Sequence, residues 1–133
     1  MITKNQIYDY IECHVTAYCT RYYEVVPKSL PCVYIRFSWN PMRRHITLNF
    51  DDEQIRCYAY IEVYGNNIDS TVAEIESVMR AMHFVEELAE DVPNYDPTLE
   101  RVSMRFCRVL TGQDTLTDEA LVQTAIVDES ETS

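Results

Sequence analysis

Residues 54 to 65, QIRCYAYIEVYG, alternate without interruption. Ile55, Cys57, Ala59, Ile61 and Val63 share one side of an extended chain, and Arg56, Tyr58, Tyr60, Glu62 and Tyr64 share the other. A period of two is the signature of a strand, because successive side chains point to opposite faces of the pleat. A strand this long with one aliphatic side demands a sheet covered on that side by other elements. The other side is the puzzle, since it carries three tyrosines where water would be expected. Tyrosine suits a pleated surface for its own sake. Tyrosine and arginine are also the residue types enriched where one chain is buried against another.

The remaining elements follow from periodicity and punctuation. Thr3 followed by Gln6 fits a capping box, and Ile7, Ile11, Val15, Tyr18 and Tyr22 recur at helical spacing. This predicts a first helix from about Asn5 to Arg21. Pro27 and Pro31 bracket a loop, since proline fixes its own dihedral and pushes the preceding residue toward extended geometry. Val33, Ile35, Phe37 and Trp39 then alternate with Tyr34, Arg36 and Ser38, a first strand. His45 to Phe50 alternates again and predicts a second, and the opening stretch is the third and longest.

After Gly65-Asn-Asn67 a second helix is expected from about Ser70 to Glu90, with Asp69, Ser70 or Thr71 as its cap. Its apolar stripe is Val72, Ile75, Val78, Met79, Met82, Val85 and Leu88. Arg101 to Leu110 alternates as a closing strand, with Arg101, Ser103 and Arg105 against Val102, Met104 and Phe106. The expected order is helix, three strands, helix, strand. It gives an α+β fold in which two helices pack on one face of a small antiparallel sheet.

Charge divides the chain at about residue 110. The formal net charge is -11, yet beyond Leu110 six acids meet no Lys or Arg, so eleven basic residues oppose sixteen acidic ones in the body. The expected division is a domain over 1–110 and an acidic C-terminal arm over 111–133. In that arm Leu116, Leu121, Val122 and Ile126 suit either a short helix docked on a partner or a mobile segment. An acidic body repels a nucleic-acid backbone, so sequence-specific nucleic-acid binding is not expected. Mean hydropathy is -0.25 with no long apolar run, and the first residues lack the order of a signal peptide, so neither membrane insertion nor export is expected.

Catalytic motifs are sparse. The two glycines, Gly65 and Gly112, sit in no phosphate-binding loop or nucleophile elbow. Cys13, Cys19, Cys32, Cys57 and Cys107 form no Cys-x-x-Cys pair, and Cys13, His14 and Cys19 lack the second pair that a tetrahedral site requires. Buried thiols are the plainer expectation. A Cys/His dyad such as Cys57 with His45 across a hairpin is geometrically possible, but any hairpin that brings two such residues together by chance reads the same in sequence. Glu86, Glu87, Glu90 and Asp91 suit the solvated acidic end of a helix. No catalytic residue, cofactor or metal is expected.

The order of elements, with VPKSLPCVYIRF entering the first strand, IRCYAYIEVYG, DSTVAEIESVM and RVSMRFCRVL, resembles the tail terminator and head-tail joining proteins of long-tailed bacteriophages over roughly residues 2 to 110. The resemblance implies a small α+β subunit of a ring, commonly hexameric, without catalysis. Such a ring caps the tail tube and meets the neck of a virion assembled in the host cytoplasm. Its implied partners are further copies of the chain, the tail tube protein and the neck or connector proteins. A neck connector subunit is the closest alternative, and a cytoplasmic adaptor or a small Cys/His enzyme are more distant ones. Residues expected at an interface are Tyr34, Arg36, Arg56, Tyr58, Tyr60, Tyr64, Arg101, Arg105 and Arg108, with Arg43 and Arg44 beside them.

Overall fold

Thr3 starts the first helix by the reciprocal bonds its sequence promises. Its Oγ1 accepts from the Gln6 amide at 3.2 Å, and its own amide donates to Gln6 Oε1 at 2.9 Å. The computed structural model describes residues 2–22, 29–42, 54–93, 98–111, 114–116 and 121–123. Helix α1 spans Lys4–His14 and buries Ile7, Tyr8, Tyr10 and Ile11. It stops well short of Arg21, because Val15 turns extended and the Thr16 amide finds the Glu74 carboxylate at 2.9 Å instead of a helical carbonyl. Both residues are β-branched and lose rotamer freedom in a helix. The residues expected to continue the helix form a short strand instead, β1 (Tyr18–Thr20).

Strand β2 (Cys32–Met42) lies parallel to β1 and antiparallel to β3 (Gln54–Gly65). The strand expected at His45–Phe50 lies outside the described residues, as do Arg43 and Arg44. Gly65 has φ +154, and a Cβ there would meet Ile68 Cγ2 at 2.9 Å and Pro31 Cα at 3.2 Å. Only glycine lets these three segments close on one another.

Helix α2 covers Asp69–Ala81, with Ile68 as an N-cap that makes no side-chain bond, so none of the expected caps acts. The helix ends nine residues before the expected Glu90. His83 takes φ 64, its amide donates to Arg80 O at 2.9 Å, and the Phe84 amide donates to Met79 O at 3.0 Å. These two bonds are a Schellman motif with histidine where glycine is usual. Sequence periodicity misses the stop because Val85 and Leu88 continue the apolar spacing. They belong to β4 (Val85–Asp91), where they are 66% and 40% exposed.

Strand β5 (Glu100–Thr111) runs antiparallel between β3 and β4, giving the sheet order β1-β2-β3-β5-β4. A second, two-stranded sheet pairs β6 (Asp114–Leu116) with β7 (Leu121–Gln123), where a helix or a mobile arm was expected. The class is α+β, as the sequence predicts. The sheet is mixed rather than antiparallel only through β1.

The aliphatic side of β3 anchors the core. Register places Ile61 between Ile35 and Met104, and Ala59 between Phe37 and Phe106. Both helices bury their apolar stripes in this same cluster, Ile7 and Ile11 from α1 and Ile75 and Met79 from α2. Each fully buried side chain of this size contributes roughly 1.5–3 kcal/mol. The helices therefore occupy one face of the sheet and leave the other to its own side chains.

Candidate interaction surface

The same register builds the second face. Across β2, β3 and β5 it lines up Arg36, Tyr60 and Arg105, and next to them Ser38, Tyr58 and Cys107. Tyr34 stands opposite Glu62, which stands opposite Ser103, and Tyr64 stands opposite Arg101. Arg56 lies at the far end, between Asn40 and Val109. Strand β4 adds Val85 beside Cys107 and Leu88 beside Arg105. Eight of the nine residues expected at an interface thus share one face.

Arg108 is the exception, because its place in the alternation puts it on the helix side opposite Cys57. Its Nη1 donates to Met82 O at 2.8 Å, and its Nη2 lies 3.7 Å from Asp114 Oδ1. The two side chains are 8% and 0% exposed, so this arginine faces inward and offers a partner nothing. Burial pulls the Arg108 pKa down while Asp114 pushes it back up. Asp114 Oδ2 also accepts from the Thr111 amide at 2.8 Å, and it is the Arg108 contact that ties the first residue of β6 to the body across the boundary drawn at residue 110.

Electrostatics on the second face are largely settled within the chain at one end and open at the other. Glu62 is the hub of the settled end. It accepts a bond from Arg101 Nη2 and one of 2.7 Å from the Tyr64 hydroxyl, while the Arg101 guanidinium lies 5.5 Å from the Tyr64 ring centre. Tyr64 is only 5% exposed. At the open end the Arg36 guanidinium lies 4.3 Å over the Tyr60 ring, which stacks with Tyr58 at 6.4 Å between centroids. A cation over an aromatic face contributes about 0.5–1 kcal/mol at an exposed site. Arg105 Nε donates to Glu87 Oε1 at 2.9 Å, at the bulge where β4 slips its register against β5. Tyr34, Tyr58 and Tyr60 are half-buried, whereas Arg36, Arg56 and Arg105 are exposed.

Sequence reasoning missed Glu62 as a hub and the two apolar residues of β4. The alternation already placed Glu62 among the tyrosines, and its carboxylate was the signal. Val85 and Leu88 could not be placed while the segment read as helix. The four acids Glu86, Glu87, Glu90 and Asp91 accordingly line an edge strand rather than a helix end. Glu86 has its pKa raised to about 7, chiefly by a hydrogen bond with Glu76 of α2 and then by burial and the charge of that neighbour.

Cys57 is fully buried, and burial pushes its thiol up to about 12, which removes the thiolate that a nucleophile needs. His45, its supposed partner, lies outside the described residues. Cys19 and Cys32 are buried as expected, but Cys13 is exposed. Among the described residues no group of three or more His, Cys, Asp or Glu side chains is placed to hold a metal ion, and no helix is long and apolar enough to cross a membrane. No family model and no curated protein matches the chain.

Proposed function

We propose that the chain is a structural subunit that buries its second sheet face against another copy of itself, forming a closed ring at the head-proximal end of a phage tail. The observation that carries this reading is the composition and position of that face. One side of a five-stranded sheet is roofed by two helices, and the other presents Tyr34, Tyr58 and Tyr60 with Arg36, Arg105, Val85 and Leu88. A contiguous aromatic and apolar surface of this kind marks an interaction site more often than a resting surface. Partly buried tyrosines with exposed arginines are typical anchors of such sites.

The ring and its place on a virion come from the resemblance of the element order and strand segments to tail terminator and head-tail joining proteins. A ring requires a heterologous contact that closes on rotation, so the tyrosine face of one copy must meet a different surface of the next. A neck connector subunit would use the same face with different neighbours. In either setting the subunit acts by shape and contact rather than by catalysis.

Native mass spectrometry of the purified chain tests the reading. A discrete closed oligomer is expected, and the double substitution Tyr58→Ser with Tyr60→Ser should convert it to monomers while the thermal melt stays cooperative. An oligomer that survives the double substitution would remove the tyrosine face from the contact. A chain that is monomeric at every concentration, and remains so with purified tail tubes, would remove the ring.

A further inference from the structure

Two exposed surfaces carry opposite charges that no ion pair among the described residues answers. On the second sheet face Arg36 of β2 and Arg56 of β3 are exposed, and neither has a carboxylate at ion-pair distance among the described residues. Strand β4 is exposed along all seven residues, four of them acids and none basic. Its Glu87 takes Arg105, but Glu90 and Asp91 have no Lys or Arg partner among the described residues.

The sheet itself keeps these two surfaces apart. At about 4.8 Å a strand, Arg56 stands two strands from β4 and Arg36 three, roughly 10 and 14 Å. Arg36 is level with Leu88, and Arg56 is level with Val109, past the last residue that β4 pairs with, Cys107. Neither arginine can therefore reach the acids of its own β4. Their apolar parts also correspond. The Tyr58–Tyr60 stack has Arg56 two residues before it and Arg36 across from Tyr60. On β4 the exposed Val85 and Leu88 form the rim of the sheet, and Glu90 and Asp91 follow them. Each surface is thus an apolar pair bordered by charge, cationic on the face and anionic on the edge.

We infer that β4 of one copy lies across the Tyr58–Tyr60 stack of the next, with Val85 and Leu88 on the rings and Glu90 and Asp91 against Arg36 and Arg56. This rests on the ring proposed above and names the different surface which that ring needs. Charge complementarity selects the occupant, since an acidic rim is what an exposed arginine pair attracts. Arg36 can serve both partners at once: its guanidinium lies over the Tyr60 ring, and its in-plane N–H groups stay directed outward for a carboxylate. The bond from Arg105 to Glu87 is the same chemistry made within one chain. Face and edge differ, so every copy offers one of each, and the contact runs head to tail.

Charge exchange on the full chain tests the pairing. Arg36→Glu with Arg56→Glu turns the face acidic, and Glu90→Arg with Asp91→Arg turns the edge basic. Either double variant alone brings like charges together and should be monomeric by native mass spectrometry where the parent is oligomeric. All four substitutions in one chain return the net charge to -11 and should restore the oligomer. A double variant that stays oligomeric, or a fourfold variant that stays monomeric with a cooperative melt, would overturn the inference. Should a charge-reversed chain fail to fold, Arg36→Lys with Arg56→Lys keeps both charges and decides by zero-length cross-linking. In a mixture of unlabelled and ¹⁵N-labelled chains, a carbodiimide should join these lysines to Glu90 or Asp91 in peptides that pair one light with one heavy partner. Joined peptides of one isotope only, or none with these two acids, would overturn it. The two readings fail differently: a parent oligomer indifferent to the reversals removes only this pairing, whereas a parent that is monomeric throughout removes the ring and the contact with it.

Discussion

Replacing Asp114 by alanine is expected to be among the most damaging single changes in the described structure. The carboxylate is fully buried and 3.7 Å from Arg108 Nη2, a separation at which two unit charges attract by roughly 4 kcal/mol at an effective dielectric of 20. Much of that attraction only offsets the cost of removing both charges from water. What Asp114→Ala exposes is the uncompensated part. The Arg108 side chain stays 8% exposed with only the Met82 carbonyl, and the Thr111 amide loses its acceptor at 2.8 Å. Breaking one side of a buried pair costs about 3–5 kcal/mol, and the second bond of Arg108 argues for the lower end, about 3 kcal/mol. With a urea m-value near 2 kcal/mol/M, the unfolding midpoint should fall by about 1.5 M. Asp114→Asn keeps an acceptor for Thr111 and should cost about half as much. The double change Arg108→Leu with Asp114→Leu should recover much of the loss, because no charge is then stranded. A midpoint for Asp114→Ala within about 0.3 M of the parent would refute the reasoning, since the pair would then be too solvated to matter.

Three further outcomes follow from local geometry. Gly65→Ala places a Cβ against the Pro31 backbone at a φ that side chains rarely adopt, and it should lower stability by about 2–3 kcal/mol in the same urea titration. His83→Gly relieves a left-handed histidine at the end of α2, so thermal unfolding should report a gain of about 0.5–1 kcal/mol after the glycine's own entropy is counted. The Glu86 carboxyl, raised to about 7 by Glu76, holds its proton more tightly folded than unfolded, so its contribution is present below about 4.5 and lost as the pH rises through 7. Denaturation midpoints across that window should fall less steeply for Glu86→Gln than for the parent, and parallel profiles would show the pair to be uncoupled.

How far the sequence could be read depended on whether the signal was local. Strands β2, β3 and β5 announce themselves because each alternates over its full length, and α1 begins where Thr3 and Gln6 say it should. The face shared by the tyrosines and arginines was legible for the same reason, since a period of two fixes which side chains travel together. Arg108 shows the limit of grouping by residue type: it was placed with Arg101 and Arg105 although an odd spacing from both puts it on the other side of the strand. Helix ends were not legible. The stop at His83 is made by backbone bonds to Arg80 and Met79 that any sequence can form once the chain turns, and the exit from α1 depends on Glu74, which lies 58 positions away. The short strand β1 owes its existence to β2 rather than to its own three residues.

The two edges of the main sheet are unlike, and this limits how the sheet can grow. On β4 every residue is exposed, four of the seven are acids, and a bulge breaks the ladder between Glu86 and Leu88. Two copies approaching through β4 would bring carboxylates against carboxylates along a kinked edge, which opposes pairing of like with like. An edge that rejects its own image also blocks the first step of runaway edge-to-edge stacking. The charge and the bulge of β4 thus close that edge of the sheet to a second β4 as effectively as a covering element would.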